Sequence, residues 1–340
     1  MSVRVGIWGF GAMGRGIAKM LHDKRNVTVV GVCDNAEELL GKKLEEFGRF
    51  SDVTITDDIE RVFAAEPDVL FHATDSFTAD SYPKVKKALE NGIDVISTAE
   101  EMAYPYANEP ALAESMDQLA KENGARVLGT GINPGFVMDL LAIALSGAVI
   151  DIDRIEVERV NSLSPFGPTV MREQGVGLSL EVFRERQSRG ELAGHVGFKE
   201  SVHMIAKALG YEISRFEQQM EPIVTSVDRK SPYGEAKAGH VAGIDMKAQG
   251  YVGDEVFIDM RHPQQIEPEA EGTSTGDYIL IKGTPEVNLS IRPEIEGGLG
   301  TIATCVNAMP LLLEAEPGLK TMIDLPVPRA FTTAPNIRKN

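Results

Sequence analysis

Apolar residues in the first part of the chain fall into short unbroken runs of strand length, at 5–8, 26–33, 67–74, 93–98 and 126–129. Continuous apolar runs of this kind mark parallel strands covered on both faces, whereas half-exposed strands alternate. Between the runs, the patterning predicts helices after the first strand (burying Ile17, Met20 and Leu21) and over 36–47, 82–90, 107–122 and 136–145, with a short strand at 53–56. Asn91-Gly92 and Asn123-Gly124 end two of these helices with a C-cap signal. Strand and helix in regular alternation predict an α/β fold whose N-terminal domain is a Rossmann-type, doubly wound parallel sheet.

From about residue 148 the pattern changes. Ile155-Glu156-Val157-Glu158 alternates, and further strands are expected at 216–227, 239–252, 255–260 and in a hairpin over 278–292 that turns at Gly283-Thr284-Pro285. Helices at 180–187 and 201–209 interrupt them, so the second domain is expected to be α+β with half-buried antiparallel strands. A mostly apolar helix entered through Gly297-Gly298-Leu299-Gly300 then reads as a return to the first domain, followed by a surface strap after Pro326. The expected division is therefore 1–135 for dinucleotide binding, 136–296 for substrate and dimer contacts, and 297–340 for the returning helix and tail.

Composition changes this picture little. With 340 residues, 43% hydrophobic and 25% charged, the chain can form two ordinary globular domains. The net charge of −17 disfavours nucleic acid and anionic membrane as partners. Two distant cysteines, Cys33 and Cys305, and six scattered histidines predict neither a disulfide framework nor a metal site. No leader or long apolar run is apparent, so a cytoplasmic location is expected.

Candidate chemistry begins at Gly9-Phe10-Gly11-Ala12-Met13-Gly14, a GxGxxG between strand and helix. Gly9 makes the tight turn, Gly11 lets backbone N–H groups of the Ala12–Met13 turn approach a pyrophosphate, and Gly14 allows close packing of helix on strand. Asp34 ends the second strand about twenty residues later, where the fingerprint places an acid for the ribose hydroxyls. Thr74, Ser76 and Thr98 fall at carboxyl ends of strands, where ligands bind in such sheets. Asn133, in the glycine-rich stretch after 126–129, reads as a further cofactor contact. Glu100 and Glu101 follow the 93–98 strand directly. They serve either as favourable charges at a helix N-terminus or as a catalytic acid or base.

The order of these motifs resembles the 2,4-diaminopentanoate dehydrogenase family, amine dehydrogenases whose N-terminal domain is similar to that of dihydrodipicolinate reductase. The resemblance covers nearly the whole chain and rests on GIWGFGAMGRGIA, STAEEMAYP (97–105), GTGINPGFVMD (129–139), SPFGPTVMREQGVG (164–177) and GHVGFKES (194–201). It implies reversible oxidative deamination of 2,4-diaminopentanoate, from ornithine breakdown, to 2-amino-4-oxopentanoate and ammonia, or the same chemistry on a related amine and ketone. The reverse direction is reductive amination. A carboxylate beside the nicotinamide would take the ammonium proton and attract the developing iminium; Glu101 is the expected residue and Glu100 the alternate. Arg172 is expected to pair with a substrate carboxylate, and Asn161 and His195 to hydrogen-bond the substrate. For His195, a structural role in a glycine-rich turn is an equal reading. The cofactor is NAD or NADP, with Asp34 favouring NAD. A homodimer is expected. The competing readings are a dihydrodipicolinate reductase-like imine reductase, a hydroxy-acid dehydrogenase on the same scaffold, and a non-catalytic dinucleotide-sensing protein. The His-His and Lys motif of dihydrodipicolinate reductase itself is not found in the sequence.

Overall fold

The computed structural model describes residues 2–48 and 52–333, and the chain divides into two units: residues 1–140 with 297–340, and residues 141–296. In the first unit, β1 (Val3–Trp8) runs through the glycine loop into α1 (Ala12–His22), followed by β2 (Val27–Cys33) and α2 (Ile59–Ala64). Next come β3 (Val69–His72), α3 (Thr78–Glu90), β4 (Asp94–Ser97), α4 (Pro110–Glu122) and β5 (Arg126–Gly129). All four residues of β3 and of β4 are buried, as expected for strands covered on both faces. Residues of α2, α3 and α4, including Val62, Phe63, Val85, Leu89 and Met116, share one apolar cluster with Leu70, Val95 and Val127 of the sheet.

The expected helix at 36–47 is instead a series of turns ending in the single 3-10 turn Leu44–Phe47. Gly41, at φ 76°, breaks any helical course there. The expected strand at 53–56 reduces to isolated bridges, Cys33 with Thr56 and Lys43 with Thr54. After β5, residues 132–139 form turns, and α5 (Leu140–Ser146) begins later than the apolar pattern indicated.

The second unit contains β6 (Asp151–Ser162), α6 (Pro168–Glu173), α7 (Leu180–Ser188) and α8 (Phe198–Leu209). These precede β7 (Arg215–Val224), the two-stranded ribbon β8 (Arg229–Lys230) and β9 (Glu235–Ala236), and β10 (Val241–Val252). The strands β11 (Glu255–Gln265), β12 (Gly276–Thr284) and β13 (Val287–Ile291) complete a six-stranded sheet of order β13-β12-β6-β11-β10-β7. The sheet is mixed rather than wholly antiparallel as the alternation implied, because β6 and β11 pair in parallel. One face carries Ile155, Val157, Ile258 and Met260 and is buried; α8 packs there, close enough that a Cβ on Gly250 would lie 2.4 Å from Val202 Cγ1.

The first unit is completed by α9 (Gly297–Glu314) and β14 (Gly318–Lys320). Here β14 pairs in parallel with β5, giving the order β14-β5-β4-β3-β1-β2. On α1, a Cβ at Gly16 would lie 2.1 Å from Ile302 Cδ1, so α1 and α9 are pressed together. The strap expected after Pro326 reaches Lys24, whose Nζ donates to Phe331 O at 2.7 Å, and Arg25, which bridges Thr333; its remainder, 334–340, lies outside the described residues. Among the described residues, no helix is long and apolar enough to cross a membrane.

Candidate active site

The glycine loop has the geometry that its three glycines demand. Gly9 has φ 97°, and a Cβ there would lie 2.6 Å from Ala73 O and 2.7 Å from Thr74 Cγ2. A Cβ on Gly14 would come within 1.9 Å of Gly9 O, so the first turn of α1 sits directly on the loop. Gly11, the N-cap of α1, is different: a Cβ there would meet nothing within 4 Å. No side chain caps this helix, so the N–H groups of Ala12, Met13 and Gly14 lack intrahelical acceptors, as at any helix start. An uncapped N-terminus beside open space is suited to a phosphate group.

Asp34 is drawn into the same loop. Its carboxylate accepts from the N–H of Phe10 and, at 2.8 Å, from that of Ala36. Asn133 lies in the turn after β5, where both its side-chain Oδ1 and Nδ2 are buried without a hydrogen-bond partner, as is Thr130 Oγ1. A buried amide with both ends unpaired costs stability unless a ligand pairs with it. The uncapped α1, the placement of Asp34 and the unpaired Asn133 amide all fit a dinucleotide.

The two glutamates share one turn. They open the 3-10 turn Glu100–Ala103 just beyond β4. The N-cap of α3 is Phe77, which has no side chain able to cap, and Glu101 takes that place from outside the helix: its Oε2 accepts from Thr78 N at 2.8 Å. Its Oε1 accepts from Asn108 Nδ2 at 3.3 Å, and its own N–H donates to Ser76 O at 3.1 Å. Ser76 thus contributes a backbone carbonyl to the turn. Thr98 N–H donates to His72 O at 2.9 Å, joining the loops after β3 and β4 a second time.

In the second unit, polar side chains occupy the end of the buried sheet face. Arg159 and Asn161 continue the series Ile155, Val157 on β6, and His262 and Gln264 continue Ile258, Met260 on β11. Asn161 and Gln264 are register partners, and both Asn161 Oδ1 and Gln264 Nε2 are buried and unpaired. His262 Nδ1 bonds to Arg159 O at 2.7 Å, and its ring meets that of His195 edge to face, centroids 4.9 Å apart. His195 keeps some exposure as a residue, but its Nε2 is buried and unpaired. Burial, aided by the Arg159 charge, pushes His195 down to about 3, and burial holds His262 well below its ordinary value, so both rings are neutral at pH 7.

Arg159 is 2% exposed and pairs with Asp277, its register partner on β12, while also donating to Ile295 O at 2.6 Å. Burial raises the Asp277 carboxyl against the pull of Arg159. Arg172, expected as a substrate contact, is exposed on α6 and donates to Thr169 Oγ1 at 3.2 Å; the structure does not bring it to this group. Asn161 and His195 are brought together, and with them come Arg159, His262 and Gln264, which sequence reasoning missed. The period-two pattern of β6, extended past Val157, is the signal that would have placed Arg159 and Asn161 on the buried face. Among the described residues, no three His, Cys, Asp or Glu side chains converge as a metal site requires.

Residues 136–339 match the family model for the 2,4-diaminopentanoate dehydrogenase C-terminal domain, and residues 3–100 match that for the dihydrodipicolinate reductase N-terminus. A 2,4-diaminopentanoate dehydrogenase from Acetoanaerobium sticklandii is 53% identical over 335 residues, 97% of this chain and 95% of that protein. An amine dehydrogenase from Streptomyces virginiae is 26% identical over 344 residues, 94% of this chain and 95% of that one. The solved structure of an amine dehydrogenase from Mycobacterium smegmatis shares the fold, with a TM-score of 0.87 over 98% of both chains at 24% identity.

Proposed function

The chain belongs to the 2,4-diaminopentanoate dehydrogenase family and is an oxidoreductase acting on amines, and from that premise we propose that it deaminates 2,4-diaminopentanoate reversibly to 2-amino-4-oxopentanoate and ammonia. Gly9, Gly11, Ala12, Met13, Gly14 and Asp34 would hold the dinucleotide at α1, with Thr74, Thr98 and Asn133 along the carboxyl edge of the sheet. Bound there, the dinucleotide supplies the hydride acceptor. Asp34 would repel a 2′-phosphate, so NAD is the preferred form and NADP the poorer one.

The observation that carries the mechanism is the acidic turn. Both Glu101 oxygens are engaged in seating it, one on the N-terminus of α3 and one on Asn108. We assign a seating role to Glu101 and, to Glu100 as the other carboxylate of the same turn, the acid/base role, reversing the order expected from the sequence. Glu100 takes a proton from the substrate ammonium, which frees the nitrogen lone pair to expel hydride from the adjacent carbon. Once that proton has passed to solvent, the carboxylate stabilises the iminium cation, takes a proton from the water that adds, and returns it to the nitrogen, which leaves as ammonia as the carbinol oxygen loses its own proton to become the ketone. In the second unit, the unpaired Asn161 Oδ1 and Gln264 Nε2 offer an acceptor and a donor for the ammonium and carboxylate of an amino-acid substrate, with neutral His195 beside them.

A cytoplasmic location, a place in ornithine degradation and a homodimer complete the proposal. The test is NADH formation from 2,4-diaminopentanoate and ammonia dependence in reverse. Glu100→Gln is expected to lower kcat at least ~100-fold. Glu101→Gln is expected to lower thermal stability and cost less in kcat. Ketone reduction without ammonia, or full turnover in Glu100→Gln, would overturn the assignment.

A further inference from the structure

Beneath the acidic turn lies a chain of side-chain hydrogen bonds of which the proposed reaction uses only Thr74, beside the dinucleotide. Ala99 N–H donates to Ser97 Oγ at 3.1 Å, and Ser97 Oγ lies 2.9 Å from His72 Nδ1. On the other side of the ring, His72 Nε2 is 3.0 Å from Asp75 Oδ2 and 2.8 Å from Thr74 Oγ1. Thr74 Oγ1 donates to Asp75 Oδ2 at 2.7 Å, and Lys84 Nζ donates to both Asp75 oxygens, at 2.9 and 2.7 Å, and to Thr74 at 2.8 Å.

The protons in this chain have one consistent arrangement. Burial alone would raise the Asp75 carboxyl, but hydrogen bonds from His72, Lys84 and Thr74 outweigh it and hold the group ionised, hence acceptor only. His72 Nε2 therefore carries the proton and gives it to Asp75. Burial keeps the imidazole neutral in spite of Asp75, so Nδ1 is a lone pair and takes the Ser97 hydroxyl proton. The Ser97 oxygen is then free to accept from Ala99. Each donor points along the chain toward Asp75, and the far end is the Thr98–Ala99 peptide, one residue before Glu100.

We propose that His72 is a positioning residue for the reaction: through Ser97 it fixes the Ala99 peptide and so aims the Glu100 carboxylate, while Asp75 and Lys84 lock the ring in the tautomer this requires. The inference rests on the assignment of Glu100 above. The three residue types are those of a nucleophilic triad, but Ser97 is 0% exposed and bonds to the other ring nitrogen, so it orients and does not attack. Three independent ties already join the two loops here, from Thr98 N–H to His72 O, Glu101 N–H to Ser76 O and Thr78 N–H to Glu101 Oε2. Loss of the Ser97 link is thus expected to alter aim more than fold.

The test compares Ser97→Ala, His72→Leu and His72→Asn for kcat, for NAD dissociation constant and for thermal unfolding. Ser97→Ala and His72→Leu are expected to lose ~10- to 100-fold in kcat, the cost of a small misplacement, with NAD affinity within about threefold. His72→Asn, which keeps a polar group near the Nδ1 position, is expected to recover part of the loss. The decisive measurement is a double-mutant cycle: in a Glu100→Gln background, Ser97→Ala is expected to cost little further. An equal loss in both backgrounds, or weakened NAD binding with unchanged kcat, overturns the positioning role alone. Full turnover in Glu100→Gln by itself overturns the assignment of the base, and the positioning role with it. If Ser97→Ala does not fold, Asp75→Asn enters the same cycle, and the same outcomes decide.

Discussion

The two units build their polar sites by opposite means. At the edge of the first sheet the proposed site is organised on the backbone: helix N–H groups, glycines that leave room for a ligand, and side-chain carboxylates tied to main-chain donors such as Phe10, Ala36 and Thr78. In the second unit they are side chains, set on strands whose residues are about a hundred positions apart, such as Arg159 and Asn161 beside His262 and Gln264. A backbone site depends on where side chains are missing. A side-chain site depends on every buried group finding a partner.

The sharpest way to break this contrast is to remove one partner from the side-chain site. Arg159→Met leaves Asp277 buried and uncompensated, and the expected cost is about 3–5 kcal/mol in urea unfolding. The double variant Arg159→Met/Asp277→Leu is expected to recover most of that loss, since no charge is then stranded. A double variant as unstable as the single one would show that packing, not the pair, is what matters.

A pH series tests the same unit more gently. His195 and His262 have folded-state values depressed below 6.5, so below that pH the unfolded chain binds protons that the folded chain refuses. Stability present above pH 6.5 is therefore lost as pH falls toward the His195 value of about 3, by at most about 1.4 kcal/mol per pH unit for each histidine. The slope of the urea midpoint between pH 7 and 5 should be shallower in His195→Asn. An unchanged slope would mean that this ring is reached by solvent.

In the first unit the contrast is between glycines. Gly14→Ala forces a Cβ against Gly9 O and is expected to cost about 1–3 kcal/mol and weaken dinucleotide binding. Gly11→Ala meets no protein atom, so stability should stay within about 1 kcal/mol while dinucleotide affinity falls roughly tenfold, read by calorimetry. Equal effects at the two positions would remove the distinction between a packing glycine and a ligand glycine.

The contrast also explains what could be read from sequence. The glycine loop, Asp34 and the acidic turn are legible because backbone sites are encoded by residues close together, where spacing reports geometry directly. The pair Arg159–Asp277 and the neighbours of His195 are not, because strand order and register bring them together and no local period records either. The same holds for the parallel pairing of β6 with β11, which alternation alone presents as antiparallel. The region 36–47 misled for a local reason: its leucines and alternating charges mimic an amphipathic helix, while Gly41 in a left-handed conformation ends it. The cap that Glu101 provides was hidden for a third reason, since nothing in sequence shows that Phe77 leaves the start of α3 for a distant carboxylate to cap.

The edge strand β14 has a consequence for biosynthesis. It lies on β5, whose last residue is Gly129, yet Gly318 begins it, so the ribosome must add almost two hundred residues before that edge is covered. At ~5–20 residues per second the nascent first unit waits roughly 10–40 s with a bare strand margin exposed. A chaperone has that interval in which to keep it from pairing with a neighbouring polypeptide.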